Sequence, residues 1–204
     1  MACSVRVAVL IIAAAVSSAC GSSPLPTARP QPSSPIPGSL LSEARPIGTG
    51  PRFQPPVTGP VSGRCEASLG PRTGVHIEVF AANRVLLLPA GIGARRPWTV
   101  LSGRIISARC YGALVTLDPT GLVLVRSGSR LSLEDLFLSW GEPLSPTRLA
   151  SFRATMGNRV AIFIDGRAWH GTPDAVPLTP HAEIVLEVGP HVPPHSSYTF
   201  PPGS

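Results

Sequence analysis

The chain contains no lysine. All 17 basic residues are arginine, which points to GC-rich coding rather than to selection for one chemistry. They outnumber the 11 acidic residues and set a net charge of +6, yet they are scattered, and Arg95-Arg96 is their longest run. Aromatic residues are equally sparse at 5%. A nucleic-acid surface needs a basic stripe with interleaved aromatics, so no nucleic-acid partner is expected. The motifs of common catalytic centres are also missing. There is no G-x-S-x-G, H-E-x-x-H or P-loop, and no G-x-G-x-x-G placed after a strand. Gly91-Ile92-Gly93 ends a turn without a third glycine or a following helix. No catalytic residue is assigned, and the expectation is a protein that is not an enzyme.

The N-terminal apolar run, Val7 to Val16, is too short to cross a bilayer as a helix. With Arg6 ahead of it and small residues behind, it reads as a signal peptide over residues 1–19. Ser17-Ser18-Ala19-Cys20-Gly21 resembles the bacterial lipobox, with Ser17 where that signal usually has leucine. The resemblance implies a diacylglycerol on the sulfur of Cys20, cleavage before it, and an exported, outward-facing protein anchored in the cell membrane. Ser17 and Ala19 also fit the small-x-small rule of ordinary signal peptidase, which would cut at the same place and leave no lipid. Residues 20–71 are rich in Pro, Ser and Gly and read as an extended linker. At about 3.1 Å per residue in polyproline II, it would reach on the order of 100 Å or more. The partners this implies are the membrane, through the anchor, and an envelope protein or wall polymer.

Of the four cysteines, Cys3 falls in the signal and Cys20 at the cut. Cys65 and Cys110 remain, and export to an oxidising compartment favours a disulfide between them. A nucleophilic Cys110 is the other reading, but no companion histidine stands in a recognisable motif.

The remaining chain, residues 72–190, predicts a single small α+β domain of mostly antiparallel β-hairpins packed with one short amphipathic helix. Val75, Ile77 and Val79 alternate with His76, Glu78 and Phe80, and Ala82-Asn83 turns that strand toward Arg84–Leu88. Ile105-Ile106 reads as a short extra strand. Leu114–Leu117 and Leu122–Val125 flank Asp118-Pro119-Thr120-Gly121, whose residues each suit their turn positions. Ser132 and Asp135 have capping-box spacing. Leu133, Leu136, Phe137 and Trp140 then recur on one helical face, and Gly141 stops the helix. Ser145-Pro146 looks like the start of a turn or short helix anchored by Leu149 and Phe152. Arg159–Ile164, with Asp165-Gly166 as a two-residue turn, and Ala182–Val188 complete the strands. Residues 191–204 form a Pro-rich tail lying along the surface.

These pieces, in this order, resemble a family of uncharacterised exported bacterial proteins. The matching segments are His76 to Gly93, Cys110 to Arg126, Leu131 to Ser145, Phe163 to Arg167 and Val192-Pro193-Pro194. The resemblance implies architecture, since no activity is attached to the family. Its members carry an LHTHDxxGxIHxE segment whose first two histidines lie two apart, on one face of a strand, where they could share a metal. Here those positions are Val115 and Leu117, the next histidine position is Leu124 and the acidic one Arg126. The ligands of that segment are gone, apart from Asp118.

The residual metal candidates are His76, Asp118, His170 and His181, and the sequence assigns neither a metal site nor a cofactor. His191 and His195 are four apart, but Pro193-Pro194 breaks any helical face, so they read as exposed tail residues. The first functional reading is a non-catalytic binding module of the cell envelope. A metal-binding or metal-handling envelope protein is the alternative, and a cryptic envelope hydrolase the second alternative.

Overall fold

A computed structural model describes residues 45–204. The expected signal, Cys20 and residues 20–44 of the expected linker lie outside the described residues. What is described is the expected α+β domain, built from β-sheet with one short helix. Among the described residues no helix is long and apolar enough to cross a membrane.

The central strand is β1, Arg72–Ala81. Its N-terminal half pairs antiparallel with β6, Leu122–Arg126, which pairs in turn with β5, Leu114–Val115. On its other side β1 runs parallel to β12, Glu183–Val188. β12 then pairs with β10, Ala161–Ile164, and β10 with β11, Arg167–Ala168. With the short β2, Arg84–Val85, on the end of β1, this makes a seven-stranded sheet. Two hairpin turns are set by residue pairs with positive φ, Ala82-Asn83 and Asp165-Gly166. That geometry matches the right-handed twist of the flanking strands.

Strand alternation gives the sheet two unlike faces. Val75, Ile77, Val79 and Ala81 of β1, with Ile184, Leu186 and Val188 of β12, face the main core. The helix α1, Leu133–Trp140, covers that face with Leu133, Leu136, Phe137 and Trp140. Asp135 accepts a hydrogen bond from the Ser132 backbone N–H at 2.8 Å. Gly141 ends α1 at φ 90°, a conformation that costs glycine little. The other face carries His76, Glu78 and Phe80 of β1 and Glu183, Val185 and Glu187 of β12. The tail, residues 191–204, has no regular structure and lies across this face. Val192 packs with Phe80 and Val185, and Tyr198 and Phe200 pack against a second cluster that includes Val115, Leu117, Leu122 and Leu124. Both faces of β12 are therefore covered, and all six of its residues are buried.

Two expectations give way and a third is narrowed. Residues 45–71, assigned by composition to the linker, lie against the domain. Ile47 bridges Val85, Phe53 packs on the main core, and the Thr58 and Gly59 N–H groups bond the carbonyl of Trp140. Proline denies this segment strand structure without denying it contacts. Ile105-Ile106 belongs to a long strand, β4, Arg104–Tyr111, paired with β3, Ala94–Leu101. Pro97 and two register irregularities hide β3 from a period-two pattern. Of the turn or short helix expected after Ser145, the turn forms at Pro146-Thr147 and the helix does not. β7, Leu144–Ser145, β8, Arg148–Leu149, and β9, Phe152–Arg153, make a small three-stranded sheet. Cys65 and Cys110 form a disulfide with a Cα–Cα distance of 5.3 Å, tying the early segment to β4.

Candidate metal site

The site is built on the parallel pairing of β1 and β12. That register sets His76 directly beside Glu183. Glu78 stands two residues on from His76, on the same face of the same strand. One ligand atom from each of His76, Glu78 and Glu183 lies within 4.8 Å of the others.

Each donor is held from outside the cluster. His76 Nδ1 meets Glu183 Oε2 at 2.7 Å, and its Nε2 meets the carbonyl of Thr120 at 3.0 Å. Tyr198 of the tail stacks on the imidazole, with centroids 3.7 Å apart and planes at 6°. Gly121 leaves room for this ring, because a Cβ there would stand 3.0 Å from His76 Nε2. Glu78 accepts from His195 Nδ1 at 2.9 and 2.7 Å to its two oxygens. Glu183 is anchored by its backbone N–H, which donates to Asp165 Oδ1 at 2.9 Å. A cavity of about 120 Å³ adjoins the cluster, lined by His76, Glu78, Phe80, Val85 and Thr120 among others.

Glu183 is 1% exposed, and its Oε1 has no hydrogen-bond partner. Burial pushes its carboxyl above the usual range, since a charged group loses its hydration there. The hydrogen bond and charge of His76 act against that rise, and nearby Glu78 adds to it.

The proton count of this arrangement is informative. Thr120 offers His76 only an acceptor, so Nε2 carries a hydrogen. The Nδ1–Oε2 contact then needs one proton between two groups that are both good metal ligands once it leaves. A divalent cation can take the place of that proton. A second ring nitrogen fixed by a backbone carbonyl is also what metal-binding histidines usually show.

The other metal candidates are not part of this cluster. Asp118 pairs with Arg104 and accepts from the Thr120 hydroxyl. His170 lies in an exposed loop beside Trp169 and Arg159. His181 meets the Ser204 carbonyl at 2.8 Å through Nε2 and packs on Phe200. Val115, Leu117 and Leu124 are buried in one apolar cluster. His195, read from sequence as an exposed tail residue, is exposed, and its Nδ1 also reaches Glu78. His191 meets Glu187 Oε2 at 2.7 Å. Sequence reasoning missed Glu78 and Glu183. The alternation of His76 and Glu78 held the first clue. Glu183 is 107 residues away, and only the parallel pairing supplies it.

Comparison with protein families, with characterised proteins and with solved structures finds no match.

Proposed function

We propose that this domain binds a divalent transition metal through His76, Glu78 and Glu183, and that metal binding or handling is its role. The observation that carries the reading is the convergence of three donor atoms within 4.8 Å around a buried carboxylate with one oxygen unpartnered. One imidazole and two carboxylates form a mixed nitrogen–oxygen set, suited to zinc or manganese and lacking the soft sulfur that favours copper(I). His195 would orient Glu78, and Tyr198 would hold the imidazole plane. The N-terminal lipobox-like segment supports placing this site on the outer side of a membrane, tethered through Cys20. Zinc then meets the domain outside the cytoplasm, and the cavity beside the cluster offers it a way in.

Isothermal titration of the chain with zinc, run in buffers of different ionisation enthalpy, tests the reading. One zinc per chain should bind with release of about one proton, because ligands must deprotonate on binding. No saturable binding of zinc or manganese at neutral pH would reject it.

A further inference from the structure

The β3–β4 hairpin carries a second surface, unrelated to the donor cluster. Ser102 and Gly103, at φ 49° and 80°, make its turn. Beside that turn Val100, Leu101 and Ile106 are 54%, 63% and 54% exposed. Isolated exposed aliphatics are ordinary, but three gathered at one end of a hairpin, with the neighbours Val100 and Leu101 on opposite faces, make its tip apolar. The patch is rigidly presented. Ile105 is buried and its N–H bonds the Leu117 carbonyl, Arg104 pairs with Asp118, and Cys110 is held by its disulfide. Ile106 is the extra residue where the pairing shifts between Thr99 and Val100, and it stands exposed beside the buried Ile105.

Charge decides what this patch fits. Residues 94–111 contain Arg95, Arg96, Arg104 and Arg109 and no acidic residue. Among the described residues, only Arg104 of these four is in a salt bridge. The Arg96 guanidinium lies 4.0 Å from the centroid of Trp98, so a cation and a half-buried indole sit together along the hairpin. A second copy of the chain would bring like charges face to face, which disfavours self-association here. Apolar tips, tryptophan and arginine together suit the interface of a bilayer with anionic headgroups.

We propose that the turn end of the β3–β4 hairpin docks on an anionic phospholipid surface. With the hairpin lying along the surface, Val100, Leu101 and Ile106 at its turn end enter the interfacial layer, and Arg95, Arg96 and Arg109 toward its base meet the phosphates. The contact stands apart from any acyl chain on Cys20 and orients the domain on the membrane.

The test uses the full chain with phosphatidylglycerol vesicles, neutral phosphatidylcholine vesicles, and soluble glycerol phosphate. Amide hydrogen exchange is followed across residues 98–107. The readout sits on the hairpin, so insertion of the N-terminal apolar segment does not stand in for it. Slowed exchange is expected with phosphatidylglycerol vesicles alone. Leu101→Ser with Ile106→Ser should abolish that protection while leaving the thermal midpoint near wild type. Arg95→Gln and Arg96→Gln should each weaken vesicle partition about fivefold. Four results overturn the proposal. They are equal protection on neutral vesicles, protection by soluble glycerol phosphate, protection that rises with protein concentration without lipid, and protection unchanged in the double serine variant.

Discussion

β12 carries two buried glutamates four residues apart on one face, and they have opposite fates. Glu183 and Glu187 are 1% and 3% exposed. Each has one oxygen 2.7 Å from a histidine Nδ1 and the other without a partner. The partner of Glu183 is His76, buried on the neighbouring strand, stacked beneath Tyr198 and fixed at its second nitrogen by Thr120. The partner of Glu187 is His191 of the tail, with its side chain 63% exposed. Glu78 supplies a third donor to the first pair. The second pair belongs to no such group among the described residues. A histidine–carboxylate pair becomes a candidate ligand set when both rings and carboxylates are preoriented and a third donor converges. Without those, it is a tether for a surface segment.

Metal addition should separate the two pairs most widely. A ligand that binds only the folded state stabilises it by roughly 3–4 kcal/mol when free ligand reaches 100–1,000 times Kd. Thermal unfolding with excess zinc should show a gain of that order in the wild type and in Glu187→Gln. Glu183→Gln should lose it. Equal gains in all three proteins would place the metal elsewhere.

Next in size is the loss of each histidine in the metal-free protein. His76→Ala leaves a buried carboxylate without its partner, a change expected to cost about 3 kcal/mol in denaturant unfolding. His191 is itself 63% exposed, so in His191→Ala water can take its place beside Glu187, and the cost should be smaller, nearer the roughly 1 kcal/mol or less of exposed pairs. Similar costs for both would erase the distinction drawn from burial.

A smaller effect is expected at His195, which touches Glu78 rather than standing in the donor group. Removing a residue that orients a ligand typically weakens metal affinity about 10-fold or more. His195→Ala should do so in a zinc competition titration, and His195→Gln should recover part of the loss by donating to Glu78. A full loss of binding in His195→Ala would make it a ligand in its own right.

Local chemistry made much of this fold legible and long-range pairing hid the rest. The helix is readable because Ser132, Asp135 and Gly141 bracket an apolar face at helical spacing, and all of that information lies within a dozen or so residues. The turns at Ala82-Asn83 and Asp165-Gly166 are readable for the same reason. β3 is not, because Pro97 and the bulges break its period. Residues 45–71 are not, because their contacts with Trp140, Val85 and Tyr111 leave no periodic trace. The candidate site divides in the same way. His76 and Glu78 are two apart on one strand. Glu183 reaches them only because β12 lies parallel to β1, with β10 on its other side. His195 is legible as an exposed tail residue but not as the partner of Glu78, because an irregular strap places it on the sheet without a periodic trace.

The smallest and most selective difference between the pairs is their response to pH. Burial raises the Glu183 carboxyl above its ordinary 4.5. Between 4.5 and that raised folded value, the folded protein holds a proton that the unfolded chain has released. Stability of the metal-free protein should therefore fall as pH rises through that window, and the contribution of Glu183 should level off above it. Other groups titrate nearby, so the informative quantity is the slope of wild type minus that of Glu183→Gln, measured by denaturant unfolding from acid to neutral pH. The difference should be negative. Zinc acts on the same proton in the opposite sense, since its binding expels that proton and tightens as pH rises. Metal-saturated protein should thus gain relative stability over the interval in which the metal-free protein loses it. A Glu183→Gln slope equal to that of wild type would mean that the carboxylate ionises in the folded state as freely as in the unfolded chain. The proton-for-metal exchange would then lose its basis.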